Sequence, residues 1–318
     1  MAGSTGVVIA AMIANGGIAI LKFVGFLLTG SPSMLAETYH SVSDTGNQVL
    51  LLIGIKYSQK DASEQHPFGY GKSQFFYAFL VSVLLFGVAG WKSLTHGLEK
   101  IRGGGHEEGT AEFLGFSLGW EAPVDPFYIS VAILLGGIAF ETYAFLKARG
   151  ELRRQMSKYG WSGYREAFER TSDLSTLTAF VEDTVALLGL FAALAGIVAT
   201  RVTGNPVYDS ISAVLIGVLL MAFAVALAIE NKRLLLGESL PAAVEADLRA
   251  VVEAHDGVTA VKDFRTMYVG VGRVLVTGEV AFDSGLSSES ATRDIDQIER
   301  ALKETDDRVQ RIYLEPEL

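Results

Sequence analysis

Long blocks of apolar residues restrict the fold of this chain more than any other feature of its sequence. A helix that crosses a bilayer needs about 20 mostly apolar residues, and five blocks meet that need: residues 7–29, 75–95, 127–146, 174–200 and 211–229. A sixth block, residues 34–55, is polar in its first half and apolar in its second. Only 19% of the residues are charged, against about 25% in soluble domains. We therefore predict a membrane all-α bundle of six transmembrane helices.

Composition and charge exclude several other classes of protein. The 318 residues include no cysteine, which excludes disulfides, thiolate catalysis and cysteine-ligated metals. The net charge of −10 comes without a basic stripe, so we expect no nucleic acid partner. The first 29 residues lack a basic start and a small-residue cleavage site, which favours a retained helix over a signal peptide.

Lysine and arginine accumulate in the loops that we place in the cytoplasm. Residues 56–72 and 149–170 carry nine of them, and Lys232 and Arg233 follow the last apolar block. The opposite loops carry only Lys100, Arg102 and Arg201. We expect a multi-pass protein of a bacterial plasma membrane, with both termini in the cytoplasm and residues 103–108 outside.

The composition changes after Glu230, and we divide the chain into a transmembrane domain, residues 1–235, and a cytoplasmic domain, residues 236–318. The second domain shows a helical stretch, two strand-like runs, another helix and a closing strand: residues 242–255, 258–268, 273–282, 287–303 and 309–314. This α-β-β-α-β order predicts a small cytoplasmic α+β domain with an antiparallel sheet.

Polar side chains share one face of the second apolar block. At about 100° per residue, Glu37, His40, Asp44, Asn47 and Gln48 fall within an arc of roughly 100°. His40 and Asp44 are i, i+4 neighbours, close enough to bind one ion together. The alternative is a polar helix–helix interface, but packing alone does not require an imidazole stacked on a carboxylate.

The fifth block carries Glu182 and Asp183 within its apolar run. At 1.5 Å per residue, Asp183 lies roughly 15 Å deep and His40 and Asp44 roughly 9–15 Å from the other side, so these groups can meet. Glu182 points about 100° away from Asp183, and its alternative role is a hydrogen bond to a neighbouring helix. One histidine with two or three carboxylates suits tetrahedral Zn²⁺ and tolerates Mn²⁺ or Fe²⁺. Because every ligand titrates, metal and protons compete for the site.

Other intramembrane polar residues are less specific. We expect Lys22 to extend its amine toward the membrane interface, and Asp209 to cap the helix that begins near Asn205 and Pro206. For Glu141, pairing inside the bundle and extension toward the interface are equally consistent with the sequence.

Two motifs resemble a known family, the cation diffusion facilitators. They are the run from Ala36 to Gln48, which contains Glu37, His40 and Asp44, and His66-Pro67-Phe68-Gly69-Tyr70-Gly71-Lys72 before the third block. The six-helix plan and the α-β-β-α-β tail match as well. The resemblance implies a homodimer that moves divalent metal out of the cytoplasm against protons. We expect the metal to be zinc.

The resemblance also implies which residues bind the metal. It places a tetrahedral site between spans two and five, with His40, Asp44 and Asp183 as ligands and Glu182 as a fourth. Many members have a histidine four residues before the span-five aspartate, where this chain has Ala179. Glu182-Asp183-Thr184 instead resembles the branch that contains the mitochondrial zinc exporter of animals. His255 is the only histidine of the tail, so we predict no regulatory metal there, and no prosthetic group is implied.

Three other functions account for part of the pattern. In the first alternative, the protein is an exporter of Mn²⁺ or Fe²⁺ rather than zinc. A membrane-embedded metal-dependent hydrolase is the second, but it needs a general base and usually more histidines. A scaffold that recruits partners through its tail is the third, and it leaves the intramembrane acids unexplained.

Overall fold

The computed structural model describes residues 2–103, 110–113, 116–119, 125–164, 174–283, 285 and 287–317. The chain forms two compact units. The helical unit holds the described parts of Met1–Ile53, Tyr77–Gly160 and Asp173–Ile229. The second unit holds those of Gly54–Phe76, Trp161–Ser172 and Glu230–Leu318.

Each predicted apolar block lies within a long helix. In chain order these are α1 (Ala2–Thr29), α2 (Pro32–Ser58), α3 (Ser73–Leu84), α4 (Trp91–Gly103), α5 (Pro126–Tyr159), α6 (Leu174–Thr203) and α7 (Val207–Leu236). A π-helical segment, Leu85–Gly90, joins α3 to α4, so Ser73–Gly103 runs as one helix. Helix α5 continues 13 residues past the predicted block, a stretch without proline, and ends at Gly160, which takes a φ of 69°.

Four of these helices are long and apolar enough to cross a membrane, among the residues that the structure describes: Ser73–Gly103, Pro126–Ser157, Ala179–Thr203 and Val207–Leu236. In α1 the apolar stretch is the shorter Asn15–Thr29. Polar residues occur throughout the first half of α2 and lower its mean hydropathy. An integral membrane protein is thereby supported, and the count of six spans stays a prediction.

The connection between α4 and α5 contains a feature that the sequence reading did not predict. Strands β1 (Thr110–Phe113) and β2 (Phe116–Gly119) pair antiparallel within it. Residues 104–108 of the predicted external loop lie outside the described residues, as do Arg165 and Arg170 of the second basic loop. Asp125 then begins α5, its side chain accepting a hydrogen bond from the Phe127 amide at 2.9 Å.

A glycine allows the backbone of α7 to contact the helix that contains Gly90 and Leu94. A Cβ on Gly217 of α7 would lie 2.6 Å from the backbone nitrogen of Leu94 and 2.9 Å from the carbonyl oxygen of Gly90. Glycine at position 217 therefore allows the two backbones to touch, as is common where transmembrane helices pack. Phe26, Met34, Leu134, Leu190 and Ile216 fill the core beside this contact.

The second unit contains the predicted α-β-β-α-β order, which is confirmed. Its elements are α8 (Ala242–Glu253), β3 (Val258–Gly270), β4 (Arg273–Phe282), α9 (Ser288–Thr305) and β5 (Val309–Glu317). The sheet order is β3-β4-β5. A tight turn with Gly272 at φ 62° joins β3 to β4, which pair antiparallel. The prediction of a purely antiparallel sheet is wrong, since β5 pairs parallel to β4. Helix α9 is the crossover that parallel neighbours require.

The motif before α3 packs on this sheet within the second unit. The Arg311 guanidinium donates to the Pro67 carbonyl at 3.3 Å and lies 5.5 Å from the centre of the Phe68 ring. A Cβ on Gly270 would lie 2.9 Å from the Cα of Gly71. A Cβ on Gly71 would in turn overlap the carbonyl oxygen of Val269. The glycines at positions 71 and 270 therefore allow the loop backbone to touch the end of β3.

Candidate metal centre

The polar face of α2 is buried as predicted. Glu37 and His40 are almost fully buried, and Asp44 is 13% exposed. The His40 Nε2 and Asp44 Oδ2 atoms lie 3.7 Å apart, one helical turn from each other. Neither ring nitrogen of His40 has a hydrogen-bond partner among the described residues. A buried imidazole with both nitrogens unsatisfied is costly unless a ligand uses it.

Contacts between α2 and α6 place their carboxylates at the same level. A Cβ on Gly189 of α6 would lie 2.7 Å from Glu37 Oε1. Asp44 follows Glu37 by seven residues in α2, and Glu182 precedes Gly189 by seven residues in α6. The Asn47 amide lies within hydrogen-bonding reach of Glu182. The two helices are therefore antiparallel here, and Asp44 and Glu182 lie about 10 Å along both axes from the glycine contact.

The structure brings the four predicted ligands into one region without closing a metal site. Asp44 interacts electrostatically with Asp183 and Glu182 interacts with Asp44, so both acids of α6 act on the α2 face. Glu141 of α5 acts on Asp44 too. Among the described residues, no three His, Asp or Glu side chains stand close enough together to hold one ion. His40 and Asp44 are adjacent, and Glu182 and Asp183 each interact with Asp44.

Two expectations about the other polar residues are wrong. Lys22 does not reach the interface: its side chain is 1% exposed and its amine lies 2.7 Å from Glu37 Oε2. The sequence did contain a signal, because Lys22 and Glu37 stand at similar distances from the turn at Gly30 and Ser31. Two helices joined by a tight turn bring such positions to the same depth.

Asp209 does not cap α7. The Asn205 side chain does so, accepting from the Val207 amide at 3.0 Å, while Asp209 accepts a hydrogen bond from Ser33 at the start of α2. Asp209 is 4% exposed and lines a cavity of about 530 Å³. The ion pair of Asp125 with Arg201, at 2.8 Å, stands in the wall of the same cavity.

Long apolar helices around a buried histidine–carboxylate face, joined to a small α+β unit, are typical of an integral membrane protein that handles cations. The family model for the cation efflux transmembrane domain matches residues 8–236, and that for the cation efflux protein cytoplasmic domain matches residues 240–317. The chain belongs to the cation efflux family. The predicted resemblance is thereby confirmed.

Several relatives have curated descriptions. The chain is 31% identical over 300 residues to the proton-coupled zinc antiporter SLC30A9, mitochondrial, of Mus musculus, and equally to that of Homo sapiens. That alignment covers 94% of this chain and 50% of the relative. Metal tolerance protein C4 of Arabidopsis thaliana is 26% identical over 83% of this chain and 54% of its own length. The chain thus spans about half the length of these relatives.

Proposed function

We propose that this chain exports a divalent metal ion, zinc in the first place, in exchange for protons. The observation that carries the proposal is the buried pair of His40 and Asp44. The imidazole nitrogens have no hydrogen-bond partner in the described part of the chain, and acids of α6 interact with Asp44. Imidazole and carboxylate oxygens are zinc ligands, and each must lose its proton to bind metal. The printed names of the SLC30A9 relatives, proton-coupled zinc antiporters, support the same activity.

His40, Asp44 and Asp183 act as metal ligands in this proposal, with Glu182 as the fourth. Zinc is the substrate and not a resident cofactor, and Mn²⁺ or Fe²⁺ are the competing substrates. A modest approach of α6 to α2 would complete the set, since Asp44 and Asp183 already interact. Glu182, which lies within reach of Asn47, would exchange that contact for the metal.

The proposed architecture is a homodimer of chains with six transmembrane spans in residues 1–235. Residues 236–318 form the cytoplasmic domain and supply a dimer contact. Basic residues such as Arg153 and Arg154 in the C-terminal part of α5 support termini on the cytoplasmic side of a bacterial plasma membrane.

Zinc uptake into proteoliposomes driven by an imposed pH gradient tests the proposal. We expect wild-type protein to accumulate zinc and the Asp44→Asn variant to lose transport, because it removes a charged ligand from a site of at most four. The control is Asp61→Asn, an exposed acid in the loop after α2. Equal transport by wild type and Asp44→Asn would contradict the site. Metal binding without metal movement would favour the hydrolase.

Proton coupling has its own measurement. Zinc binding to the detergent-purified protein, followed by calorimetry in buffers of different ionisation enthalpy, reports the protons released per ion. We expect more than one proton per zinc between about pH 5.5 and 7.5, because the ligands are an imidazole and two or three carboxylates. A release near zero would rule out antiport even if zinc is transported.

A further inference from the structure

Lys22 of α1 and Glu37 of α2 form an ion pair that is sealed inside the helical unit. Their side chains are 1% and 0% exposed, and the amine lies 2.7 Å from Glu37 Oε2. Removing two charges from water costs several kcal/mol per ion, and apolar residues of similar size are often as stable in such a place. Stability alone therefore does not account for this pair, and intramembrane charges usually serve function.

The pair stands beside the candidate metal centre. Glu37 is one helical turn from His40 and two turns from Asp44 on the same face of α2. Its second oxygen, Oε1, is buried without a hydrogen-bond partner in the described part of the chain and faces Gly189 of α6. One carboxylate oxygen of Glu37 therefore binds Lys22, and the other is available to a ligand in the interior that holds the proposed metal ligands.

The charge of Lys22 reaches the proposed ligands. It acts electrostatically on His40, on Asp44 and on Glu141. Because this charge is positive, it disfavours the binding of a metal cation by the proposed ligands. One unit charge about 10 Å from a divalent ion, at an effective dielectric constant of about 20, changes the binding constant tenfold or more.

We propose that Lys22 sets the metal affinity of the transporter. Its ammonium occupies Glu37 and repels the ion held by His40 and Asp44, so that the ion is bound weakly enough to leave. This inference rests on the proposed function. Without the ammonium, Glu37 becomes an uncompensated carboxylate one turn from His40 and attracts a divalent cation.

Calorimetric zinc binding to the purified full-length chain tests the inference. We expect Lys22→Met to lower the Kd about tenfold or more and to slow zinc transport in proteoliposomes. Lys22→Arg keeps the charge and is the matched control, with a Kd within about threefold of wild type. The double variant Lys22→Met with Glu37→Gln removes both charges and should bring the Kd back toward the wild-type value.

A purely structural ion pair gives a different result. Lys22→Met would then yield less folded protein, but the folded fraction would bind zinc with the wild-type Kd, and that outcome overturns the inference. If Lys22→Met does not fold, the exchanged pair Lys22→Glu with Glu37→Lys replaces it. The exchange keeps an ion pair but moves the positive charge to one turn from His40, so we expect zinc binding weaker by about tenfold or more. An unchanged Kd there also overturns the inference.

Asp44→Asn in the same titrations separates the two proposals. If wild type binds zinc, Asp44→Asn loses it and Lys22→Met matches wild type, the inference about Lys22 is wrong and the proposed function stands. If Asp44→Asn binds zinc as wild type does, the metal site itself is wrong, and the inference that depends on it is wrong too.

Discussion

At the scale of single residues, the cost of an unsatisfied polar group identifies the chemistry of the helical unit. His40 has two buried nitrogens without partners, and Glu37 has one such oxygen, among the residues described. In an apolar interior each such group costs on the order of 1–3 kcal/mol. The stabilising partners are expected from a ligand, and a cation with nitrogen and oxygen ligands fits both atom types.

We expect metal selectivity to depend on His40, because it is the single nitrogen ligand proposed. Imidazole favours Zn²⁺ over harder ions such as Mn²⁺. We expect His40→Asp to lower the ratio of zinc to manganese transport by about tenfold, a change typical of altered ligation. Competition uptake in proteoliposomes measures the ratio, with His255→Asp in the tail as the control. An unchanged ratio would remove His40 from the ligand set.

At the scale of elements, backbone contact between helices and ion pairing within turns set local stability. Gly217 permits α7 to touch the helix that contains Gly90 and Leu94. In the second unit, the turn before β5 is closed by Arg308, whose guanidinium donates to both carboxylate oxygens of Asp306. Each contact is specific to its element and separable from metal binding.

Gly217→Ala should separate α7 from its neighbour. The added methyl group would meet backbone atoms of Leu94 and Gly90, which cannot rotate away. We expect a loss of about 1–3 kcal/mol in stability, typical of overpacking, seen as a lower thermal inactivation midpoint of the purified protein. Gly136→Ala is the matched control, since no atom of the described residues lies within 4 Å of a Cβ built there. Equal midpoints for the two variants would contradict the close packing.

The Asp306 turn should weaken in acid. Burial raises the pKa of the Asp306 carboxyl. Hydrogen bonds from the side chain and backbone of Arg308 lower this pKa by more than burial raises it, so the pKa lies below its ordinary value. A lowered pKa in the folded state stabilises the fold above the unfolded pKa of about 3.9, and that contribution disappears as the pH falls through the folded pKa.

Asp306→Asn should therefore reduce the hydrogen-exchange protection of β5 at pH 7, with a difference from wild type that shrinks toward pH 3. Asp307→Asn, at the exposed neighbouring position, should change little. A pH-independent difference between Asp306→Asn and wild type would contradict the role of the carboxylate charge.

At the scale of the whole molecule, the proposed metal ligands and the β-sheet lie in different parts of the chain. The candidate ligands belong to the helical unit, whereas two polar groups that could bind metal in the second unit contact their own neighbours. His255 Nδ1 lies 3.0 Å from the Asp256 carbonyl oxygen, and Asp263 pairs with Arg265 at 2.7 Å. That the tail binds no regulatory metal stays a prediction.

Zinc stoichiometry tests that division. We expect one tight zinc per chain by calorimetry, retained when His255→Ala and Asp263→Ala are combined and lost in Asp44→Ala. The reason is that a tail with one histidine offers too few ligands for a structural zinc site, which uses four. Loss of a second zinc in the tail double variant would show that the C-terminal unit binds metal after all.

The helices, the polar face of α2 and the α-β-β-α-β order could all be predicted from the sequence. These are local properties: a helix shows as apolar length, and a face shows as spacing along one element. His40 and Asp44 are one turn apart whatever surrounds them, so their pairing followed from spacing alone. The motif at Pro67 and Gly71 was visible as well, but its contact with β3 was not.

What only the tertiary structure decided is which element each of these groups meets. Lys22 pairs with Glu37, Asp209 receives Ser33, Glu182 comes level with Asp44, and β5 joins the sheet parallel to β4. A helical period specifies a direction from the axis but not the neighbour, and the neighbour depends on the packing register of another helix. Gly189 leaves room for the Glu37 carboxylate, and no period in the sequence of α2 indicates a missing side chain in α6.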